Sequence, residues 1–141
     1  MSAYFQRDTV ALPNVAKFFG GNSDEEFGHA KDFMAYQTSR GGRVVFDAVD
    51  SPNHEFAATD DKSDVLVAFE TALLMEKKVN MGLLRLSKLA GAEEDPQLAD
   101  KIDGYLAEQV EAIASLAAHV TTLQRIGNSG LSIYTFDKHG F

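Results

Sequence analysis

Apolar residues recur along this chain at intervals of three and four, the period of a helix with one buried face. Val15, Phe19, Phe33 and Tyr36 keep one stripe through positions 15, 19, 22, 26, 29, 33 and 36. Leu66, Phe69, Leu73 and Leu83 mark a second, and Ile102, Leu106, Ile113, Leu116 and Val120 a third. Local signals set the ends. Pro13 suits a first helical position, and Gly41-Gly42 supply a stop after Arg40. Ser63 or Asp64 caps a second helix, expected to run to about Ala90 with Gly91 just past its end. Asp95-Pro96 opens a third, expected to run to about Ile126 and to stop at Gly127; a short last helix is expected over Leu131–Lys138. One conflict stands inside the first helix. Gly20-Gly21 weakens it, and Ser23 with Glu26 forms a capping box, so local rules alone would split it at Asn22.

The long helices each span about 40–46 Å at 1.5 Å per residue. The second and third are joined by a few residues, which makes them antiparallel neighbours. Residues 43–62 read as one long connection with a short extended piece at its start. A connection of that length suits a crossover running the length of a bundle, leaving the first and second helices parallel. The fold class is all-α, and 141 residues without a repeat or linker give a single domain over 1–141.

Composition narrows the chemistry. The net charge of −8 opposes phosphate binding, so no nucleic-acid partner is expected, and it favours cations. No apolar run approaches a membrane span. With no cysteine, any metal site must use carboxylate, imidazole and amide groups. Met1–Gln6 lacks the pattern of a secretory signal, and a cytoplasmic location is the expectation.

Such groups interrupt the stripes. Glu26 and His29 lie on the first, Glu76 on the second and Gln109 on the third. Taken singly, Glu-x-x-His is an ordinary solvated pair, Glu76 a stripe-edge residue and Gln109 a satisfied core amide. Together, with no Lys or Arg on the stripes, they leave a metal cation as a natural partner for buried carboxylates. Oxygen-rich ligation with one His suits iron or manganese. His119 lies at the core edge, while His54 and His139 read as solvated; Asp100 and Asp103 read as a solvated acidic turn early in the third helix.

Collinear segments then carry a resemblance. Tyr4-Phe5-Gln6-Arg7-Asp8, Glu25-Glu26 with His29-Ala30, Gln37 with Arg40-Gly41-Gly42-Arg43, and Leu86-Ser87-Lys88-Leu89-Ala90 resemble eukaryotic ferritin. So do Glu108-Gln109-Val110, His119-Val120-Thr121 and Phe136-Asp137-Lys138-His139. The resemblance implies a ferritin-like four-helix bundle with one long crossover and a short fifth helix. It implies a homo-oligomeric cage of twenty-four subunits, open to mixing with full-length ferritin subunits. It also implies storage of iron oxidised by dioxygen at a di-iron (ferroxidase) site. There Glu26 would bridge two irons, His29 would bind one, Glu76 the other, and Gln109 would lie beside it. Asp100 and Asp103 would line the iron-entry channel, and Leu131, Thr135 and His139 would face a four-fold axis.

The chain departs from that family in several places. The family's first long helix is absent except for its last turn, which Met1–Phe5 resemble, so one terminal iron-ligand Glu has no counterpart. Gly28 replaces an acidic residue, the crossover is longer, and Phe56 stands where Trp is common. About one residue is missing near Gly104-Tyr105. Leaving ~800 Å² of apolar surface bare forfeits ~20 kcal/mol, more than a domain's net stability, so an isolated monomer is not expected to hold the complete bundle. The alternative to an iron-oxidising subunit is therefore a catalytically impaired structural or chaperone-like cage subunit.

Overall fold

A computed structural model describes residues 1–141. Its regular structure is entirely helical: α1 (Ser2–Phe5), α2 (Pro13–Ser39), α3 (Asp64–Ala92), α4 (Pro96–Ile126) and α5 (Gly130–His139). Internal contacts gather in two units, Met1–Phe56 with Tyr134–Phe141, and Ala57–Ile133.

In the first unit, α2 starts at Pro13 as expected and runs unbroken through Gly20-Gly21 and the Ser23/Glu26 capping box. The split at Asn22 does not occur. Burial of Val15, Ala16 and Phe19 stabilises the first turns by more than two glycines cost. α1 packs on this stretch. Phe5 is fully buried with its ring stacked on Phe19, and the Ser2 hydroxyl donates to the Ala16 carbonyl at 2.8 Å. Past Phe19 the α2 stripe is only half-buried at Phe33 and Tyr36. The helix ends at the expected glycines. Gly41 has φ +80°, its amide donates to Thr38 O and the Gly42 amide to Gln37 O, a Schellman cap. A Cβ on Gly42 would sit 2.7 Å from Gln37 Cγ, so both glycines are required.

The connection after α2 contains no strand, so the extended piece at Arg43–Phe46 forms no ladder. Phe56 buries its ring edge-on against Tyr4, and Arg7 makes a bidentate pair with Glu55 at 2.7 and 2.8 Å. The N-terminal segment thus clasps the far part of the connection.

In the second unit, α3 and α4 form an antiparallel pair. Phe69 lies against His119 with ring centroids 5.3 Å apart, and Glu76 meets Gln109, so rising numbers on α3 meet falling numbers on α4. Val65, Leu66, Phe69, Leu83, Ile102, Leu116, Val120 and Leu123 fill the seam. Ser63 and Asp95 cap the two helices through the Leu66 and Leu98 amides. The end of α3 differs from expectation. Gly91 lies inside the helix, which continues to Ala92, and the left-handed cap residue is Glu94 at φ +51°. The Asp95 amide donates to Ala90 O, closing the Schellman ring three residues beyond Gly91's predicted stop. Gly127 caps α4 as expected, at φ +75°.

Candidate metal centre

α2 brings Glu26 and His29 together at helical spacing, one turn apart. His29 Nδ1 lies 3.6 Å from Glu26 Oε2. The Glu26 side chain is 52% exposed and that of His29 28%. The expectation that Glu26 is a buried carboxylate is thereby corrected: it stands past the last fully buried residue of α2, Phe19, and water reaches it.

α3 and α4 bring Glu76 and Gln109 together. Gln109, 7% exposed, donates one amide nitrogen to both Glu76 Oε2 at 2.9 Å and the Glu76 carbonyl at 3.0 Å. This fixes the carboxylate's rotamer and occupies one oxygen, leaving Oε1 with no such bond. Gln109 is thus the satisfied core amide, and the carboxylate it holds is half-buried rather than orphaned. An amide–carboxylate bond of this kind orients a ligand for a metal without competing for all its lone pairs.

The donors fit a hard or borderline cation. Carboxylate oxygen and imidazole nitrogen suit Fe(II), and the chain has no thiolate to offer a softer metal. No three His, Asp or Glu side chains converge in a closed protein-only cage. The chain therefore presents two donor pairs, Glu26/His29 and Glu76/Gln109.

The remaining candidates are placed as follows. Asp100 and Asp103 are exposed in the first turns of α4. Leu131, Thr135 and His139 form an exposed i, i+4, i+8 line on α5. His54 is exposed, and His119 is half-buried beside Phe69, where desolvation lowers its pKa below the usual imidazole range. The buried polar residue that pattern reading passed over is Asp137, 2% exposed on α5. One of its oxygens accepts from the Asn14 and Val15 amides at 2.9 and 3.0 Å. The cue was available: α2 begins at Leu12-Pro13, where no local side chain can cap, so an acceptor must come from elsewhere.

Against known proteins, a model of the ferritin-like domain matches residues 1–126. The chain belongs to the ferritin family. It is similar to the chloroplastic ferritin-1 of Brassica napus, 45% identical over 139 residues, 98% of this chain and 54% of that one. It is also similar to the lower and middle ferritin subunits of Aquarana catesbeiana, 42% and 45% identical. Those alignments take in 99% of this chain and 79% and 78% of the two subunits. The chain thus spans about half the length of the Brassica relative and under four-fifths of the frog subunits. The ferritin-like helical order and the short C-terminal helix agree with the family. No helix is long and apolar enough to cross a membrane.

Proposed function

We propose that this chain is an iron-storing ferritin subunit, acting as one ferritin-like domain within a cage built of its own copies. Its candidate substrate is Fe(II), oxidised by dioxygen and kept as ferric mineral. The observation that carries the reading is the Gln109–Glu76 bond, which holds a half-buried carboxylate in one rotamer on a seam otherwise filled by apolar residues.

In this reading Glu26 and His29 supply an oxygen and a nitrogen donor, and Glu76 supplies a further carboxylate oriented by Gln109. Negative ligands favour Fe(III) over Fe(II), which assists loss of the electron. Each Fe(II) gives up one electron. Two such electrons and two protons convert dioxygen to hydrogen peroxide, and water binding to Fe(III) releases protons as mineral forms. Asp100 and Asp103, exposed at the start of α4, supply the acidic entry for the cation.

The test is rapid mixing of assembled protein with Fe(II) in aerated buffer, following ferric absorbance and oxygen uptake together. Glu26→Ala and Glu76→Ala are expected to abolish the fast phase, and Gln109→Leu to slow it by about 10–100-fold, the usual cost of removing a ligand's orienting partner. An unaltered fast phase in both alanine variants would sink the assignment. Assembly with slow mineralisation in the unmodified protein would favour the structural-subunit alternative instead.

A further inference from the structure

The second half of α3 departs from the chain's charge balance. Residues 77–92 contain Lys77, Lys78, Arg85 and Lys88 and no Asp or Glu. With −8 on the whole chain, the remaining residues carry −12. All four cations are exposed, and none has a carboxylate partner in the structure. At 100° per residue they fall within an arc of about 100°, opposite the buried Leu83 and Ala90. Lys77 and Lys88 are separated by about 16 Å along the axis. Leu74 and Met81 sit in the same arc, 55% and 49% exposed. Exposed apolar residues flank the arc as well, Met75, Val79, Leu84 and Leu89 among them, and Leu74 and Met81 are the two set between the cations.

We propose that this face docks an acidic amphipathic segment of a partner protein, its carboxylates pairing with Lys77, Arg85 and Lys88 and its apolar residues covering Leu74 and Met81. Charge complementarity and shape select this occupant. An anionic bilayer or a nucleic acid is broad and would also meet acidic groups beyond the end of the cation arc. Glu93 and Glu94, just beyond the last cation, would be the first to oppose it. A narrow segment lies along one helix and avoids that repulsion. The proposal does not depend on the iron chemistry.

The probe is a fluorescein-labelled synthetic helical peptide of alternating Glu and Leu turns, titrated with assembled protein and followed by anisotropy. Binding is expected to weaken steeply between roughly 0.05 M and roughly 0.5 M salt. The variant Lys77→Gln/Arg85→Gln/Lys88→Gln, which keeps helix propensity, is expected to lose about tenfold or more in affinity. The control Lys17→Gln/Arg43→Gln/Arg125→Gln changes net charge equally and is expected to stay within about twofold. Leu74→Ser/Met81→Ser is expected to weaken binding at both salt levels. Equal losses in the two triple variants, or salt-independent binding, would overturn the proposal. So would tighter binding to phosphatidylserine vesicles or to single-stranded DNA than to the peptide.

Discussion

Replacing Asp137 with alanine removes the side chain that caps α2 from a distance of more than 120 residues in sequence. The start of α2 has a particular shortage. Its first residue, Pro13, has no N–H, so Asn14 and Val15 carry the first free donors, and Leu12 in the cap position offers them no side-chain acceptor. One oxygen of Asp137 takes both, and the Asn14 side-chain amide lies 3.4 Å from the other. Val15 is fully buried, so its amide cannot turn to water when the carboxylate goes. An unsatisfied buried donor costs about 1–3 kcal/mol, and an anion at a helix N-terminus contributes up to ~2 kcal/mol where partly buried. Relief of the carboxylate's own desolvation offsets part of that. The expected net loss is about 2 kcal/mol for Asp137→Ala and about half as much for Asp137→Asn, whose amide oxygen still accepts. With a urea dependence of about 1–3 kcal/mol per molar, the alanine midpoint should fall by about 1 M. The comparison is made at one protein concentration, because association adds to apparent stability. Hydrogen exchange localises the effect: the Asn14 and Val15 amides should exchange faster while α3 and α4 amides keep their order. An alanine variant within about 0.5 kcal/mol of the parent, or unchanged protection at Val15, would refute the capping argument.

Three further outcomes follow from local geometry. Glu94→Gly should raise stability by about 0.5–1 kcal/mol in urea unfolding, because Glu94 holds φ +51° and the left-handed strain exceeds glycine's added chain entropy. His119→Leu should flatten the pH dependence of stability below about 6.5. Burial lowers the folded-state pKa of His119, so the unfolded chain binds the extra proton and stability declines as pH falls from there toward the folded value; urea midpoints at about pH 7.5 and about pH 5.5 measure the difference. The Arg7–Glu55 clasp should persist somewhat below pH 4.5, because the bidentate guanidinium holds the Glu55 carboxyl below its ordinary value. Its contribution is present above 4.5 and lost as pH falls through the lower folded value, and proteolysis of residues 47–54 across that range reports the release.

The helices were legible because their signals are local. Ser63, Asp95, Pro13, Pro96, Gly41 and Gly127 each act within a turn of where they stand, and each lies at the boundary it announced. Gly91 misled for a physical reason. A glycine signals a stop only if the chain needs a left-handed residue there, and packing of Ala90 carried α3 one turn further, to a cap that Glu94 completes under strain. The capping box at Ser23 failed in the opposite sense. Its side chains would serve a helix start, but an unbroken ladder leaves no free amides to serve.

The candidate donors were legible as types and spacings, but their burial was not. Periodicity puts Glu26 and Gln109 on equivalent stripes, yet Glu26 is half-exposed and Gln109 is buried. A stripe shows which residues share a face; what covers that face depends on a second element. α4 has α3 against it along the seam from Ile102 to Leu123, so Gln109 is enclosed and its amide must find the Glu76 carboxylate. α2 has α1 and the end of the chain from α5 against its first turns, and burial stops at Phe19, seven residues before Glu26. The four residues therefore differ in how well the fold prepares them. Glu76 is already held by Gln109, whereas Glu26, to act as a ligand in the proposed site, would have to be drawn from water, at a cost in side-chain freedom. In the proposed site, Gln109→Leu should therefore slow iron oxidation by releasing Glu76 from one rotamer, whereas Glu26→Ala removes a donor outright and costs more.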